Sequence, residues 1–210
     1  MKNDIFNDLT IVLKVRDNHK MTNRWLSNAL NQKVKFKILI ADGGMKTLNI
    51  NHQFNNGLIL EHVKTAYDKD HLTYMRKLSY VLNEKVTTKF SLIADDDDFY
   101  IFSEIEKYVN FLLNNNDYVA CCGSILKFEL KEKYKGNPIF TTISKLKDFT
   151  NEKPIERLFQ ILQTNNYREV YYDVMHTKII GKAFNDFIEI NSNNVNYRFV
   201  EFYILIKVLS

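Results

Sequence analysis

The chain contains few of the residues that interrupt or cross-link a fold. Its 210 residues include two prolines, six glycines and two cysteines, and no segment rich in Gly, Ser or Pro divides it. We therefore expect one domain over residues 1–210, whose apolar, helical end is consistent with truncation at the C-terminus. Cys121 and Cys122 are adjacent and form no CxxC pattern, which argues against a structural disulfide.

Long apolar runs and clusters of basic residues are also missing. No run approaches the roughly 18 residues that span a bilayer, and acidic residues occupy the start of the chain, where a secretory signal needs an apolar core. We expect a cytoplasmic protein, with the inner face of the membrane as the other option. The net charge of +4 is compatible with peripheral membrane association, whereas scattered lysines disfavour nucleic acid as a partner.

The chain alternates between apolar strands and amphipathic helices. Leu9–Arg16 and Phe36–Ala41 are predicted strands, and the helix between them carries Trp25 and Leu26 on its apolar face. Strand, helix and strand over about 35 residues form a βαβ unit with parallel strands. We therefore predict an α/β, Rossmann-like fold in which helices flank a mostly parallel central sheet.

The later part of the chain continues this pattern. A helix near Ser103 has the pattern of a capping box, with Glu106 three residues on. The other predicted elements are strands at 58–63, 90–94, 118–130, 139–143 and 170–175, and helices at 71–84, 154–162, 178–187 and from 199 onward.

Four consecutive aspartates, Asp95–Asp98, follow the apolar strand at 90–94. Carboxylates at this density raise each other's pKa unless a cation lies among them. Mn²⁺ and Mg²⁺ prefer such hard oxygen ligands together with phosphate oxygens. Polar residues also follow two other strands, at Lys14–Asn18 and Asp42–Gly44, and ligands of open parallel sheets bind beyond the carboxyl ends of the strands. The sequence thus predicts a metal and phosphate site, with a solvated acidic turn as the simpler alternative.

The order of these segments resembles a family 2 glycosyltransferase with the GT-A fold, well over residues 9–130 and loosely beyond. The resemblance implies that Asp42 holds the nucleotide base and that Asp95 contacts the ribose or the metal. It implies that Asp97 is the chief ligand of Mn²⁺ or Mg²⁺ and that the neighbouring Asp96 contacts the nucleotide sugar. The alternative DxD pair, Asp96 with Asp98, remains open.

Three basic residues are candidates for contact with the donor. Lys14 and Arg16 follow the first strand and could neutralise phosphate, and Arg76 lies where the family often places a basic residue near the donor. The family usually has Pro-Thr-Tyr-Asn-Arg where this chain has residues 14–18. The resemblance therefore specifies neither the base nor the sugar.

Inverting glycosyl transfer also requires a base that deprotonates the acceptor hydroxyl. The family places this acid near the start of a late helix, where Glu201 is the best match, and Asp186 and Glu189 are competing candidates. Glu201 stands among apolar and aromatic neighbours, and desolvation there would favour such a role. His176 is a candidate for the acceptor side.

The sequence therefore predicts an inverting, metal-dependent glycosyltransferase. It would move a sugar from a nucleotide-diphosphate sugar to a glycan or lipid-linked acceptor. Two alternatives stay open: a non-catalytic protein that binds nucleotide sugars, and another metal-dependent phosphoryl enzyme. The second is less favoured, because a dehalogenase-type phosphatase has its acids near the first strand.

Overall fold

The computed structural model describes residues 4–50, 52–130, 138–144, 148–164, 170–190 and 197–210. Its strands are β1 (Leu9–Val15), β2 (Lys37–Asp42), β3 (Ile59–Lys64), β4 (Phe90–Asp95), β5 (Ala120–Cys121), β6 (Ile125–Leu130), β7 (Pro138–Ser144) and β8 (Val174–His176). Its helices are α1 (His19–Asn31), α2 (His52–Asn55), α3 (His71–Tyr80), α4 (Phe102–Asn114), α5 (Pro154–Thr164), α6 (Thr177–Ile190) and α7 (Tyr197–Leu209). A π-helical turn, Val81–Lys85, extends α3.

The main sheet has six strands in the order β3-β2-β1-β4-β8-β5, and β6 and β7 form a separate two-stranded sheet. Strands β3, β2, β1 and β4 run parallel, whereas β8 runs antiparallel to both β4 and β5. The chain moves from β1 outward to β3 and then returns to place β4 on the other side of β1. The strand order therefore reverses between β1 and β4, which is where open α/β sheets bind ligands.

Helices cover both faces of the sheet because its central strands are apolar on both sides. Ile11 and Leu13 of β1 pack on one face, in a core cluster with Trp25 of α1 and Val109 of α4. Val12 points to the other face and packs with residues of α3, α6 and α7. This alternation buries both sides of β1, as parallel sheets require. The observed architecture confirms the predicted α/β fold.

Two strand predictions are wrong in their extent. The predicted strand at 118–130 is broken, because its first part joins β8 in the main sheet and its second part pairs with β7. The break falls around Gly123, where a Cβ would come within 2.0 Å of the Tyr108 hydroxyl. The predicted strand at 170–175 begins instead as a 3₁₀ turn, Val170–Tyr172, because β8 pairs only with the start of β4.

The predicted capping box at Ser103 is also wrong. Helix α4 begins at Phe102, and its N-cap, Ile101, makes no capping hydrogen bond through its side chain. The side-chain carbonyl of Gln32 accepts a hydrogen bond from the Phe102 amide instead, at 3.2 Å. A side chain distant in sequence thus satisfies one of the amides that helix starts leave open, and a local pattern could not reveal it. The short helix α2 was also not predicted.

None of the described helices has the length and apolar character that crossing a bilayer requires.

Truncation of Phe184 tests the second core cluster. Its side chain is fully buried between α6 and its neighbours, so Phe184→Ala should lower the free energy of unfolding by about 3–5 kcal/mol. Urea denaturation measures this change. Phe159→Ala on α5 is the matched control, because Phe159 is 55% exposed, and it should change stability by no more than about 0.5 kcal/mol. Equal losses in both variants would contradict the described packing.

Candidate functional site

The parallel register brings the predicted polar strand ends to one edge of the sheet. Lys14 of β1 lies opposite Asp95 of β4, and Val15 lies opposite Asp42 of β2. Asp42 in turn lies opposite Lys64 of β3. Asp42 and Asp95 are therefore two strand spacings apart, about 10 Å. The predicted base contact and the predicted metal ligand thus flank the point where the strand order reverses.

Asp95 is held by two partners on different elements. The Lys14 ammonium lies 2.7 Å from Oδ1, and the Tyr172 hydroxyl donates a hydrogen bond of 2.6 Å to Oδ2. The Lys14 side chain is only 10% exposed, so this ion pair is screened less by solvent than a surface pair. Both contacts fix the orientation of the carboxylate at the end of β4.

Asp96 and the aspartates after it form a turn, and Arg24 of α1 holds the main chain of this turn. The Arg24 guanidinium donates hydrogen bonds to the main-chain carbonyl oxygens of Asp97 (2.9 Å) and Asp96 (3.3 Å). Carboxylate oxygens of Asp95, Asp97 and Asp98 lie within 4.8 Å of one another. These are hard oxygen donors, so the trio fits Mg²⁺ or Mn²⁺ chemically.

Asp96 turns away from this trio. Its Oδ2 accepts a hydrogen bond of 3.0 Å from Thr22 on α1. Burial raises the pKa of Asp96, the neighbouring carboxylates Asp97 and Asp95 raise it further, and the Thr22 hydroxyl acts in the opposite direction. Its contact with a nucleotide sugar stays a prediction.

Asp42 is almost completely buried and already accepts three hydrogen bonds. The Gly44 amide donates to Oδ1 at 2.8 Å. His62 Nε2 and Lys64 Nζ lie 3.0 and 3.2 Å from Oδ2, and both must donate because a carboxylate only accepts. Lys64 also donates to the Gly44 carbonyl. Asp42 therefore organises the loop that follows β2, and its contact with a base stays a prediction.

The two glycines of this loop lie so close to neighbouring carboxylates that a side chain would not fit. A Cβ at Gly44 would lie 2.7 Å from the Asp17 carboxylate, and one at Gly43 would lie 2.2 Å from the Asp68 carboxylate. Asp17 has a positive φ of 55°, and its carboxylate accepts a hydrogen bond from the Lys46 amide at 2.7 Å. The main-chain amides of Lys46 and Met45 lower the pKa of Asp17.

A buried ion pair supports the loop from the other side. The Lys77 ammonium of α3 lies 2.5 Å from Oδ2 of Asp68, and each side chain is 2% exposed. The Asp68 amide donates to the Gly43 carbonyl at 2.9 Å. Burial raises the pKa of Asp68 and lowers that of Lys77, and each partner opposes the shift of the other. The ion pair joins α3 to Asp68, and the Asp68 amide in turn holds the loop that follows β2.

The other two residues predicted to contact the donor, Arg16 and Arg76, are exposed. Arg16 is exposed at the end of β1, with its guanidinium 5.4 Å from the centre of the Tyr67 ring. Arg76 is exposed on α3, whereas its neighbour Lys77 turns toward the sheet, with Nζ 3.5 Å from the Val15 carbonyl oxygen. The basic residue of α3 that reaches the strand ends is therefore Lys77, and donor contacts by Arg16 and Arg76 stay predictions.

Glu201 on α7 comes close to the same group of residues. It is 4% exposed, and the charges of Asp95, Asp68 and Glu201 add to burial in raising the pKa of Tyr74 well above its usual value. The Tyr74 ring also lies 5.5 Å from the Lys14 ammonium. Glu201 and Asp95 therefore both lie near enough to Tyr74 for their charges to act on its hydroxyl.

The competing candidates for the base have other surroundings. Asp186 pairs with Lys182 at 2.8 Å and with Lys207 at 3.3 Å. The hydrogen bond from Lys182 lowers the pKa of Asp186, which weakens it as a base, and Glu189 is exposed on α6. Glu201 is the buried member of the three candidates, and it lies near Tyr74.

His176 lies at the other end of β4 from the acidic turn. It pairs with Phe90, the first residue of β4, whereas Asp95 is the last. Five residues of extended strand separate the two positions by about 16 Å. The His176 ring packs against Phe90 with centroids 4.9 Å apart, and its contact with an acceptor stays a prediction.

The sequence did not predict several of the contacts made by Asp42 and by the acidic turn. A sequence pattern could have indicated only the contacts of His62 and Lys64 with Asp42. His62 and Lys64 alternate along β3 and so share one side of the strand, at the height of Asp42 once the register is known. The partners Tyr172, Thr22 and Arg24 meet the aspartates only through tertiary packing. No local pattern in the sequence marks them.

Comparisons with solved structures identify similar folds. The crystal structure of S. aureus TarS 1-349 aligns with 96% of this chain and 55% of its own, at 12% identity and a TM-score of 0.57. A crystal structure of S. aureus TarS aligns with 84% of this chain and 29% of its own, at 13% identity and a TM-score of 0.51. TarS is a glycosyltransferase, and this chain spans about half or less of the length of these structures.

At this level of identity the similarity establishes the fold alone. The six-stranded, mostly parallel sheet with helices on both faces matches a GT-A-like Rossmann fold, as predicted. No protein-family model matches the chain, and neither does any curated protein sequence.

Removal of one partner of the buried ion pair tests its structural role. Lys77→Met leaves the Asp68 carboxylate buried without its cation, which should cost about 3–5 kcal/mol of unfolding free energy at neutral pH. Asp68 then has a folded-state pKa above its unfolded value of 3.8, so the folded state binds more protons. The deficit should therefore shrink as the pH falls from neutral toward 3.8. Urea denaturation at a series of pH values measures it.

The control is the double variant Lys77→Met/Asp68→Asn, which carries no buried charge at these positions. It should recover most of the lost stability, because replacing both partners avoids an uncompensated charge. A deficit that is the same at every pH, or that the double variant does not relieve, would contradict the described pair.

Proposed function

We propose that this chain is a glycosyltransferase of the family 2 type that uses a nucleoside-diphosphate sugar. The observation that carries the proposal is the carboxylate trio Asp95, Asp97 and Asp98, which lies beside Lys14 at the point of strand-order reversal in a GT-A-like fold. Lone acidic turns are common on protein surfaces. This one is anchored by Arg24, oriented by Tyr172 and placed where such sheets bind ligands.

The donor would lie across the ends of β2, β1 and β4. Its base would meet the loop of Asp42, and its diphosphate would meet the trio and the cations of Lys14 and Arg16. Asp97 and Asp98 are the exposed members of the trio and would supply most of the ligands of Mn²⁺ or Mg²⁺. The bound metal would offset the negative charge of the diphosphate as it leaves.

Glu201 would act as the base. In the transfer, the acceptor oxygen forms a bond to the anomeric carbon while the bond between that carbon and the diphosphate oxygen breaks. The acceptor proton passes to the Glu201 carboxylate, and attack from the face opposite the leaving group inverts the configuration. The burial of Glu201 keeps water from competing for it. The acceptor would be a glycan or a lipid-linked sugar.

Thermal unfolding with a panel of nucleoside-diphosphate sugars tests donor binding. With Mn²⁺ and donor at about a hundred times its Kd, the melting temperature should rise by about 5–10 °C. Asp97→Asn should abolish most of this rise, whereas Asp117→Asn, which removes an exposed acid beyond α4, should retain it. A panel in which no donor changes the melting temperature would contradict the proposal.

Glu201→Gln separates catalysis from binding. The amide keeps the size of the side chain but cannot take a proton, so transfer should slow about 10²–10⁴-fold while the donor-induced thermal shift is kept. Initial rates of sugar transfer from the responding donor measure the effect, with Glu189→Gln as the exposed control. Full activity in Glu201→Gln would exclude this residue as the base. A thermal shift without any turnover of the unmodified chain would favour a non-catalytic binding protein.

A further inference from the structure

Lys14 is a largely buried cation beside the acidic turn. Its side chain is 10% exposed, and its ammonium lies 2.7 Å from Oδ1 of Asp95. The centre of the Tyr74 ring lies 5.5 Å from the same ammonium. The parallel pairing of β1 with β4 places the backbone of Lys14 directly opposite Asp95. The fold therefore holds this positive charge in place, whereas an exposed lysine moves freely on its flexible stem.

Both carboxylate oxygens of Asp95 have a partner within the protein. Oδ1 pairs with Lys14, and Oδ2 accepts a hydrogen bond of 2.6 Å from the Tyr172 hydroxyl. Asp97 and Asp98 are the exposed members of the trio. Each oxygen of Asp95 keeps a further lone pair that could bind a metal. A divalent cation bound by the trio would therefore share Asp95 with the Lys14 ammonium.

The charge of Lys14 acts in opposite directions on two forms of a divalent cation. The ammonium repels the free cation and offsets part of the attraction that the Asp95 carboxylate exerts on it. A cation chelated by a diphosphate brings phosphate oxygens with it, and their negative charge attracts the same ammonium. Lys14 should thus weaken the binding of the free cation and strengthen the binding of the chelate.

We infer that Lys14 makes the acidic turn select a divalent cation chelated by a diphosphate over the free cation. The inference rests on the proposed function and gives Lys14 a role in ligand selection. A lysine that only stabilised the end of β4 would act differently, because its loss would disturb the trio for both ligands. The two roles predict opposite changes in the affinity for the free cation.

Two binding measurements on Lys14→Met test the inference, and neither requires turnover. The electron paramagnetic resonance signal of free Mn²⁺ measures the binding of Mn²⁺ alone, which should tighten about tenfold. Isothermal titration calorimetry in excess Mn²⁺ measures the binding of ADP, CDP, GDP and UDP. For the nucleotide that binds the unmodified chain most tightly, the affinity of the variant should fall about tenfold.

Lys37→Met is the matched control. Lys37 is also an ion-paired lysine of the main sheet, with its ammonium 2.6 Å from a carboxylate oxygen of Glu61. It lies opposite Thr10 of β1, and Thr10 is about 13 Å from Lys14 along the strand. Salt at physiological strength screens charges over such a distance. The variant makes the same change in net charge and should keep both affinities.

A second variant separates the charge from the hydrogen bond. Lys14→Gln keeps a donor for Asp95 without the charge, and both affinities should change in the same directions as in Lys14→Met. Weaker binding of both ligands in the two Lys14 variants, unchanged binding of either ligand, or equal effects in Lys37→Met would overturn the inference. A donor-induced thermal shift of the unmodified chain would still support the proposed function in these cases. Failure of the unmodified chain to bind any of the nucleotides would overturn both.

Discussion

The site depends on the in-register parallel pairing of β3, β2, β1 and β4. The pairing brings the carboxyl ends of the four strands to one edge, where β2, β3 and β4 end in a charged residue and Lys14 is the last residue but one of β1. Lys14 therefore meets Asp95, and Asp42 meets Lys64, without any long loop to bring them together. A slip of one residue in either pairing would turn the side chains of one strand to the other face of the sheet. The packing of β1 opposes this slip, because the side chains that fit the two core clusters would exchange faces.

The site also depends on cations that balance the charges of its buried and half-buried carboxylates. Asp42, Asp68 and Asp95 are all withdrawn from solvent to some degree, and each has a cation within 3.2 Å. The cations come from β1, β3 and α3, so the electrostatic contacts also tie separate elements together. Loop conformation at Gly43 and Gly44 follows from the same contacts, since the carboxylates of Asp68 and Asp17 fill the space that a Cβ would need.

The sequence predicted the features that depend on local pattern. Short apolar runs revealed β1, β2 and β4, and the polar residues at their ends indicated the edge where the site was predicted. The limits of β5 and β8 could not be predicted, because only their pairing with each other and with the start of β4 determines them. For the same reason, no local pattern indicated that Gln32 would contact the start of α4 or that Tyr172 would contact Asp95. Their partners are distant in the chain and meet only in the folded state.

The acidic turn concentrates negative charge at the end of β4. Asp95–Asp98 bring four carboxyl groups together. Lys14 forms an ion pair with Asp95, and Arg24 contacts the carbonyl oxygens of the turn. A divalent cation bound by the trio would add two positive charges at the exposed side of the turn, where Asp97 and Asp98 lie. Carboxylates this close raise each other's pKa. Burial is the main cause of the raised pKa of Asp96, and the charges of Asp97 and Asp95 add to it. The proposed metal would reduce the mutual repulsion of these carboxylates.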